Sequence, residues 1–231
     1  MVLDLALWLS YKAFCNKQEV LVVDYQKMAN DDVAAALSHH NVLPEFKDMT
    51  VIERKEACDQ DRLPYSVAIL NVTGELNIGT IIRNSLLMGA REVLIIGRRR
   101  FDKRGTVGAE NYLNVERIEA MSDEVNIDCD KVRTIFAERN LCPIYVEQGG
   151  VEIPNFHWRA HLGSPRFSGL TPVLVFGNEN RGVPNELLKP SSDGNVPIIV
   201  SVKQRGVIRS YNVGVTSGMV MMDMLNNMGW W

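Results

Sequence analysis

Three short stretches of this chain combine polar side chains in ways that could do chemistry. Asn77-Ile78-Gly79-Thr80-Ile81-Ile82-Arg83-Asn84 carries amides and a guanidinium. Phe176-Gly177-Asn178-Glu179-Asn180-Arg181-Gly182 surrounds one carboxylate with amides, and Gly206-Val207-Ile208-Arg209-Ser210-Tyr211-Asn212-Val213 offers a hydroxyl and another amide. Each stands where a strand-like run gives way to a helix-like one, so each would lie on a loop at the mouth of a helix. Ser210 and Asn212 also have the simpler reading of helix N-caps, whose short polar side chains satisfy free N–H groups of the first turn. The chain shows no Ser/His/Asp arrangement, no pair of catalytic carboxylates and no ligand set for a metal, which removes most hydrolytic schemes. A fixed arginine, backbone N–H groups and small amide or hydroxyl side chains suit another task. They can align two bound groups and hold an oxygen that gains negative charge.

The clearest electrostatic feature is Arg98-Arg99-Arg100-Phe101-Asp102-Lys103-Arg104, a basic run in a chain whose formal net charge is −3. Such a run is either a solvated face or a set of phosphate contacts. Here it follows a strand, and loops at the carboxyl ends of strands border the ligand crevice of α/β sheets. Arg98, Arg99, Arg100, Lys103 and Arg104 are therefore candidate phosphate ligands. Gly105-Thr106-Val107-Gly108 lacks the G-x-G-x-x-G order of a dinucleotide site. His39-His40 and the His157/His161 pair have no third ligand at a recognised spacing, so no metal is expected. Residues 147–170, rich in Gly and Pro, read as a long surface excursion facing a partner or RNA. Cys15, Cys58, Cys129 and Cys142 form no C-x-x-C pair, which argues against zinc and disulfides and fits a reducing compartment.

The elements that must position these residues alternate. Tyr65-Ser66-Val67-Ala68-Ile69-Leu70 reads as a buried strand, followed by a polar loop at 72–77 and a helix in which Ile78, Ile81, Ile82, Ser85 and Leu86 share a face. Asn77 then stands at the helix mouth and Arg83 on another face. Further strands are predicted at 91–96, 143–146, 171–176 and 197–202, with a helix at 128–140, and Pro184 suits the first position of another. The last helix, 213–228, is Met-rich and apolar apart from Asp223, which marks it as core or subunit interface. The pattern is α/β with a parallel sheet. Residues 1–64 show only a brief alternation of Leu3, Leu5, Leu7 and Leu9 and a helical pattern at 31–40. They read as an amino-terminal extension, helical in part, ahead of a catalytic unit at 65–231.

At 231 residues and 46% hydrophobic, the chain can bury a full core. No apolar run reaches the ~18–20 residues of a membrane span, and Met1 to Leu9 lacks the basic flank of a signal peptide. Those features point to an intracellular, cytoplasmic protein.

Together, NIGTIIRN, FGNENRG and GVIRSYNV resemble the three motifs of the SpoU (TrmH-like) branch of the SPOUT RNA 2′-O-ribose methyltransferases. They occur in family order, and the resemblance covers roughly residues 63–225. GVIRSYNVGVTSG is most similar to the eukaryotic tRNA guanosine 2′-O-methyltransferases of that branch. The resemblance implies a parallel sheet flanked by helices with a C-terminal deep trefoil knot, a rare exception to the unknotted rule. It also implies S-adenosylmethionine as cofactor, RNA as substrate (tRNA ahead of rRNA), and a homodimer whose active site draws on both subunits.

Carried over residue by residue, the catalytic set is Asn77, Arg83, Glu179, Ser210 and Asn212. Phe176, Gly177, Asn178, Ile199, Val200, Ser210, Tyr211 and Asn212 would hold the cofactor. Arg83 would bind the target phosphate and ribose oxygen and stabilise the developing alkoxide. Because arginine is effectively always protonated, its help is expected to be electrostatic rather than that of a base. Asn77 and Ser210 would orient the ribose and Arg83, Glu179 would anchor the loops, and Asn212 would fix the knot loop. Three features depart from the family pattern: Tyr211 where Leu is usual, Lys203 where Pro is usual, and the long 147–170 stretch. Tyr211 would narrow the donor pocket. A noncatalytic RNA-binding relative is opposed by the intact polar set. A dinucleotide-dependent enzyme is opposed by the missing glycine fingerprint and ribose-binding acid.

Overall fold

Five consecutive apolar or small residues, all buried, make β1 (Ser66–Leu70) the centre of the molecule. A strand buried on both faces belongs in a parallel sheet covered by helices, and that is its setting. The computed structural model describes residues 42–98, 100–190 and 194–231. Arg99, Cys15, His39-His40, the leucine alternation near Met1 and the helix expected over 31–40 lie outside the described residues.

Around β1 the chain builds α1 (Val51–Gln60), α2 (Glu75–Leu87), β2 (Glu92–Ile96), a short α3 (Lys103–Thr106), β3 (Asn114–Ile118), α4 (Cys129–Glu138), β4 (Leu141–Glu152), a short α5 (Trp158–Leu162), β5 (Thr171–Phe176), β6 (Ile198–Ser201) and α6 (Val213–Met228). The six strands pair in the order β3-β2-β1-β5-β4-β6, every pair parallel. After β3 the chain crosses to the other side of β1 and β5. Loops from the two halves therefore meet at the carboxyl ends of the central strands, where α/β sheets bind ligands.

Alternation along β1 splits the core. Val67 and Ile69 face a cluster containing Ile78, Ile81 and Ile82 of α2 and Met221 and Met224 of α6, whereas Ala68 and Leu70 face Val132 and Phe136 of α4. Buried Ile78, Ile81, Ile82 and Ser85 lie three and four residues apart, which gives α2 its inward stripe and leaves Arg83 on the exposed side. Burying each of these aliphatic side chains is worth roughly 1.5–3 kcal/mol.

Three expectations need correction. β3 has no counterpart among the predicted strands: it is an edge strand with no fully buried residue and only two apolar ones, Val115 and Ile118, so its apolar pattern is weak. No helix follows Pro184; the segment forms turns, with Leu187 N–H donating to Pro184 O at 3.0 Å. Residues 147–170 are not a surface excursion. β4 runs on to Glu152 through an irregularity between Val146 and Val151 and pairs again with β6. Beyond it Phe156, Trp158 and Phe167 are buried, and the fully buried Trp158 donates its indole N–H to Asp223 Oδ2 at 2.7 Å. That bond accounts for the single acidic residue of α6. In the extension, α1 is a helix, started by a Thr50/Glu53 capping box. Buried Arg54 bonds Phe46 O, Lys47 O and the Tyr112 hydroxyl, tying this helix to the loop before β3.

Among the described residues no helix is long and apolar enough to cross a membrane, and no group of three His, Cys, Asp or Glu side chains could hold a metal ion. His161 Nδ1 lies 3.0 Å from His157 O, and its ring stacks on Phe156.

Candidate active site

The three polar motifs meet through one chain of hydrogen bonds. Glu179, on the loop after β5, accepts from Thr73 N–H (2.9 Å), Thr73 Oγ1 (3.0 Å), Gly74 N–H (2.9 Å) and Asn77 Nδ2 (2.9 Å). Asn77 Oδ1 in turn accepts from Asn212 Nδ2 at 2.9 Å. Asn212 Oδ1 accepts from Gly214 and Val215 N–H at 2.9 and 3.2 Å, capping α6. The capping reading of Asn212 is thus correct, and the same side chain joins two motifs. Partial burial pushes the Glu179 carboxyl up, but the donors from Asn77, Thr73 and Gly74 outweigh it and bring it down to about 2. Glu179 is therefore an ionised anchor at neutral pH, with no proton to give.

Next to this chain, Asn84 Nδ2 donates to Gly214 O (2.9 Å) and Ser217 Oγ (3.0 Å), holding α2 against α6. Arg83 is exposed and makes no hydrogen bond or ion pair with the described residues. Six residues beyond Asn77, it lies about 9 Å further along the helix axis. Ser210 is likewise exposed and makes no hydrogen bond with the described residues.

Beside the Glu179–Asn77–Asn212 chain opens a cleft of about 500 Å³, inside the usual range for small-molecule sites. Its walls include Val146, Phe176, Val202 and Val213 on the apolar side, with Asn178, Glu179, Ser210, Tyr211 and Asn212 on the polar side. Gly177 also lines it, and only glycine fits there: a Cβ would stand 2.3 Å from both Gly182 C and Val183 N. Asn178 shapes the loop, donating to Asn71 O at 2.7 Å and accepting from Asn180 and Arg181 N–H. Of the residues predicted to hold a cofactor, Phe176, Gly177, Asn178, Ser210, Tyr211 and Asn212 border this cleft. Ile199 and Val200 do not; they sit further back in β6, and Ser201 and Val202 take their place at the rim.

Arg98, Arg100, Lys103 and Arg104 lie outside the cleft. Arg104 is bound to Asp102 at 2.6 Å, Arg98 donates to Glu124 O at 2.9 Å, and Arg100 makes no bond with the described residues.

Two cleft residues were missed in the sequence. Glu147 Oε2 accepts from Val183 N–H at 2.7 Å, and Gln148 Nε2 donates to Arg209 O, so the irregular middle of β4 pins the loops after β5 and β6. A carboxylate and an amide directly after a predicted strand were the available signal. The two substitutions against the family pattern also meet: the Tyr211 hydroxyl points to Lys203 O at 3.4 Å, and Lys203 Nζ pairs with Glu152 at 3.2 Å.

A family model described as the SpoU rRNA Methylase family matches residues 64–222. The chain belongs to the SpoU family. A comparison with curated proteins finds no match. Among solved structures, the A. aeolicus TrmH/SpoU tRNA modifying enzyme is 17% identical with a TM-score of 0.57, covering 78% of this chain and 84% of that one. The SpoU methyltransferase AviRb from Streptomyces viridochromogenes, in complex with AdoMet, is 18% identical with a TM-score of 0.54, over 73% and 58% of the two chains. A structure described as an RNA 2′-O ribose methyltransferase is 17% identical with a TM-score of 0.54, over 73% and 57%. The chain thus spans most of the first neighbour and under two thirds of the other two. At these identities the neighbours establish the fold: a six-stranded parallel sheet flanked by helices, as in SPOUT methyltransferases. SpoU proteins are RNA methylases, and their methyl donor is S-adenosylmethionine. The cleft of this SpoU protein fits such a donor, since it combines an apolar wall, a glycine-lined backbone and several amide and hydroxyl groups.

Proposed function

We propose that the protein methylates a ribose 2′-OH of RNA, a tRNA guanosine being the first candidate and rRNA the second. The observation that carries this reading is the Glu179–Asn77–Asn212 hydrogen-bond chain, which ties the first motif to the two motifs that line the cleft. GVIRSYNVGVTSG and the tRNA modifying enzyme among the neighbours favour tRNA. The family description favours rRNA, and the neighbour described as a 2′-O ribose methyltransferase favours the ribose oxygen.

In this reading residues 65–231 form the catalytic domain and 1–64 an extension. Phe176, Gly177, Asn178, Tyr211 and Asn212 hold the donor, Ile199 and Val200 supporting them from β6. S-adenosylmethionine supplies an electrophilic methyl group on a sulfonium. Glu179 stays ionised and fixes the loops around it. Asn77 fixes Asn212 and the start of α2, and Ser210, whose hydroxyl is uncommitted among the described residues, positions the ribose. Arg83, without a partner among the described residues, binds the target phosphate and stabilises the 2′-oxygen as it loses its proton to water. Arg98, Arg99, Arg100, Lys103 and Arg104 take phosphates further along the RNA.

Arg83 lies off the cleft of its own chain, which supports a homodimer that completes the site. Val215, Met219 and Met222 are 50, 37 and 44% exposed and form one stripe of α6 at four- and three-residue spacing, a face suited to that contact. A C-terminal trefoil knot belongs to the same reading. The bonds from 203–212 to both the loop after β5 and the middle of β4 are the contacts such threading calls for. Incubation with labelled S-adenosylmethionine and separate tRNA and rRNA pools, followed by mass spectrometry of nucleosides, tests the assignment. It predicts 2′-O-methylguanosine in tRNA. Label only in rRNA selects the second candidate, and label on a base rejects ribose methylation. Sedimentation of an active monomer would reject the dimer.

A further inference from the structure

Val207 and Ile208 are 104 and 77% exposed, the two most exposed large hydrophobic side chains among the described residues, and they are adjacent. They form the tip of the loop between β6 and α6, the loop whose Arg209, Ser210 and Tyr211 line the donor cleft. The tip is held in place: Arg209 donates from Nη2 to Asn180 O at 3.1 Å, and its carbonyl accepts from Gln148. Arg205 and Arg209 flank the aliphatic pair, both exposed and neither in an ion pair with the described residues. Residues 202–212 contain no acidic side chain, so the tip is locally cationic in a chain of net charge −3.

Scattered exposed aliphatics are ordinary, but two neighbours fully in water on an anchored loop at a cleft mouth call for a cover. We propose that unpaired RNA covers them: Val207 and Ile208 pack on the face of an unstacked base beside the target nucleotide, while Arg205 and Arg209 meet the phosphates on either side. Apolar base faces between phosphates are what single-stranded RNA presents and a duplex hides. A protein partner fits less well, because two side chains are far short of the ~800 Å² per partner of a standard interface, and flanking guanidiniums favour a polyanion. The proposal rests on the RNA-methylation reading and goes beyond it, since it makes the protein select unpaired nucleotides through an apolar contact.

The test is the double variant Val207→Ser/Ile208→Ser, compared with Val207→Leu/Ile208→Leu, in binding to a hairpin RNA with an unpaired loop and to a blunt duplex. The serine pair should weaken hairpin binding at least ~5-fold and leave duplex binding unchanged, at the low end of what removing one stacked base costs. The leucine pair should bind the hairpin like the wild type. Melting temperature and calorimetric S-adenosylmethionine binding should not move, because both side chains are in solvent. Unchanged hairpin affinity, or equal weakening on both RNAs, overturns the proposal. So does loss of donor binding or of thermal stability in the serine pair, which would place the tip's role inside the fold. A drop in sedimentation coefficient would show that a second copy covers the tip instead. If the wild type binds neither RNA, the methylation reading itself fails; if it binds the hairpin and the serine pair does too, only this proposal falls.

Discussion

Replacing Glu179 by Gln removes the charge while keeping the shape, which tests whether the loop anchor is electrostatic. The carboxylate accepts from four donors on Thr73, Gly74 and Asn77. An amide offers one acceptor oxygen and turns its own N–H groups toward donors. Holding the carboxyl at about 2 rather than its ordinary value of 4.5 would be worth about 3 kcal/mol for a fully buried group. Glu179 is only half-buried, so solvent screening reduces this to about 1 kcal/mol. The sign follows from a folded value below the unfolded one. The stabilisation is fully present above about pH 4.5 and is lost as pH falls toward 2. Other carboxylates with lowered values, such as Asp102 and Glu116, share this trend, so the quantity to measure is the difference between wild type and variant. Urea unfolding at a series of pH values should show that difference near ~1 kcal/mol at pH 7 and shrinking below about pH 4.5. A difference that does not change with pH, or a variant as stable as the wild type at neutral pH, would refute the charge-anchor argument. The variant should also bind S-adenosylmethionine more weakly, because the loops it frees form the cleft.

Arg83→Ala should leave stability within ~0.5 kcal/mol, since the side chain is exposed and makes no bond with the described residues, yet lower single-turnover methylation by ~10²–10³; near-normal turnover with abolished RNA binding would make it a docking residue. Gly177→Ala puts a methyl group 2.3 Å from the backbone at Gly182 and Val183, so the loop must shift, and calorimetry should show donor affinity falling by ~10-fold or more. Alanine at Arg98, Arg100 or Lys103 should flatten the salt dependence of RNA binding by up to ~0.7 log units for each phosphate no longer neutralised, with a smaller effect at Arg104, whose charge Asp102 already engages.

How much of the site could be read beforehand varies with residue type. Asn77, Glu179 and Asn212 were legible because each sits in a short polar motif at a strand-to-helix turn, where backbone geometry limits what a side chain can reach. Glu147 and Gln148 were not, because their work depends on the Val183 N–H and the Arg209 carbonyl, 36 and 61 residues further on. Trp158 looked like part of a surface loop in a Gly- and Pro-rich stretch. It became core only because Asp223, the odd acidic residue in an apolar helix, waits 65 positions later to accept its indole N–H.

The linear chain by itself determined the alternation of strands and helices, the buried stripe of α2 and the apolar character of α6, since these follow from periodicities of two and 3.6 within a few neighbouring residues. It also determined the chemical inventory of the three motifs. The pairing order β3-β2-β1-β5-β4-β6, the continuation of β4 past Val146 and the failure of a helix to form after Pro184 were decided only in three dimensions. So was the position of Arg83 away from the cleft lined by Ser210 and Asn212. The physical reason is that non-local hydrogen bonds and packing contribute as much free energy as local propensity, and their partners lie tens of residues apart. A motif can name the groups that do chemistry, but the fold decides which of them share a cleft.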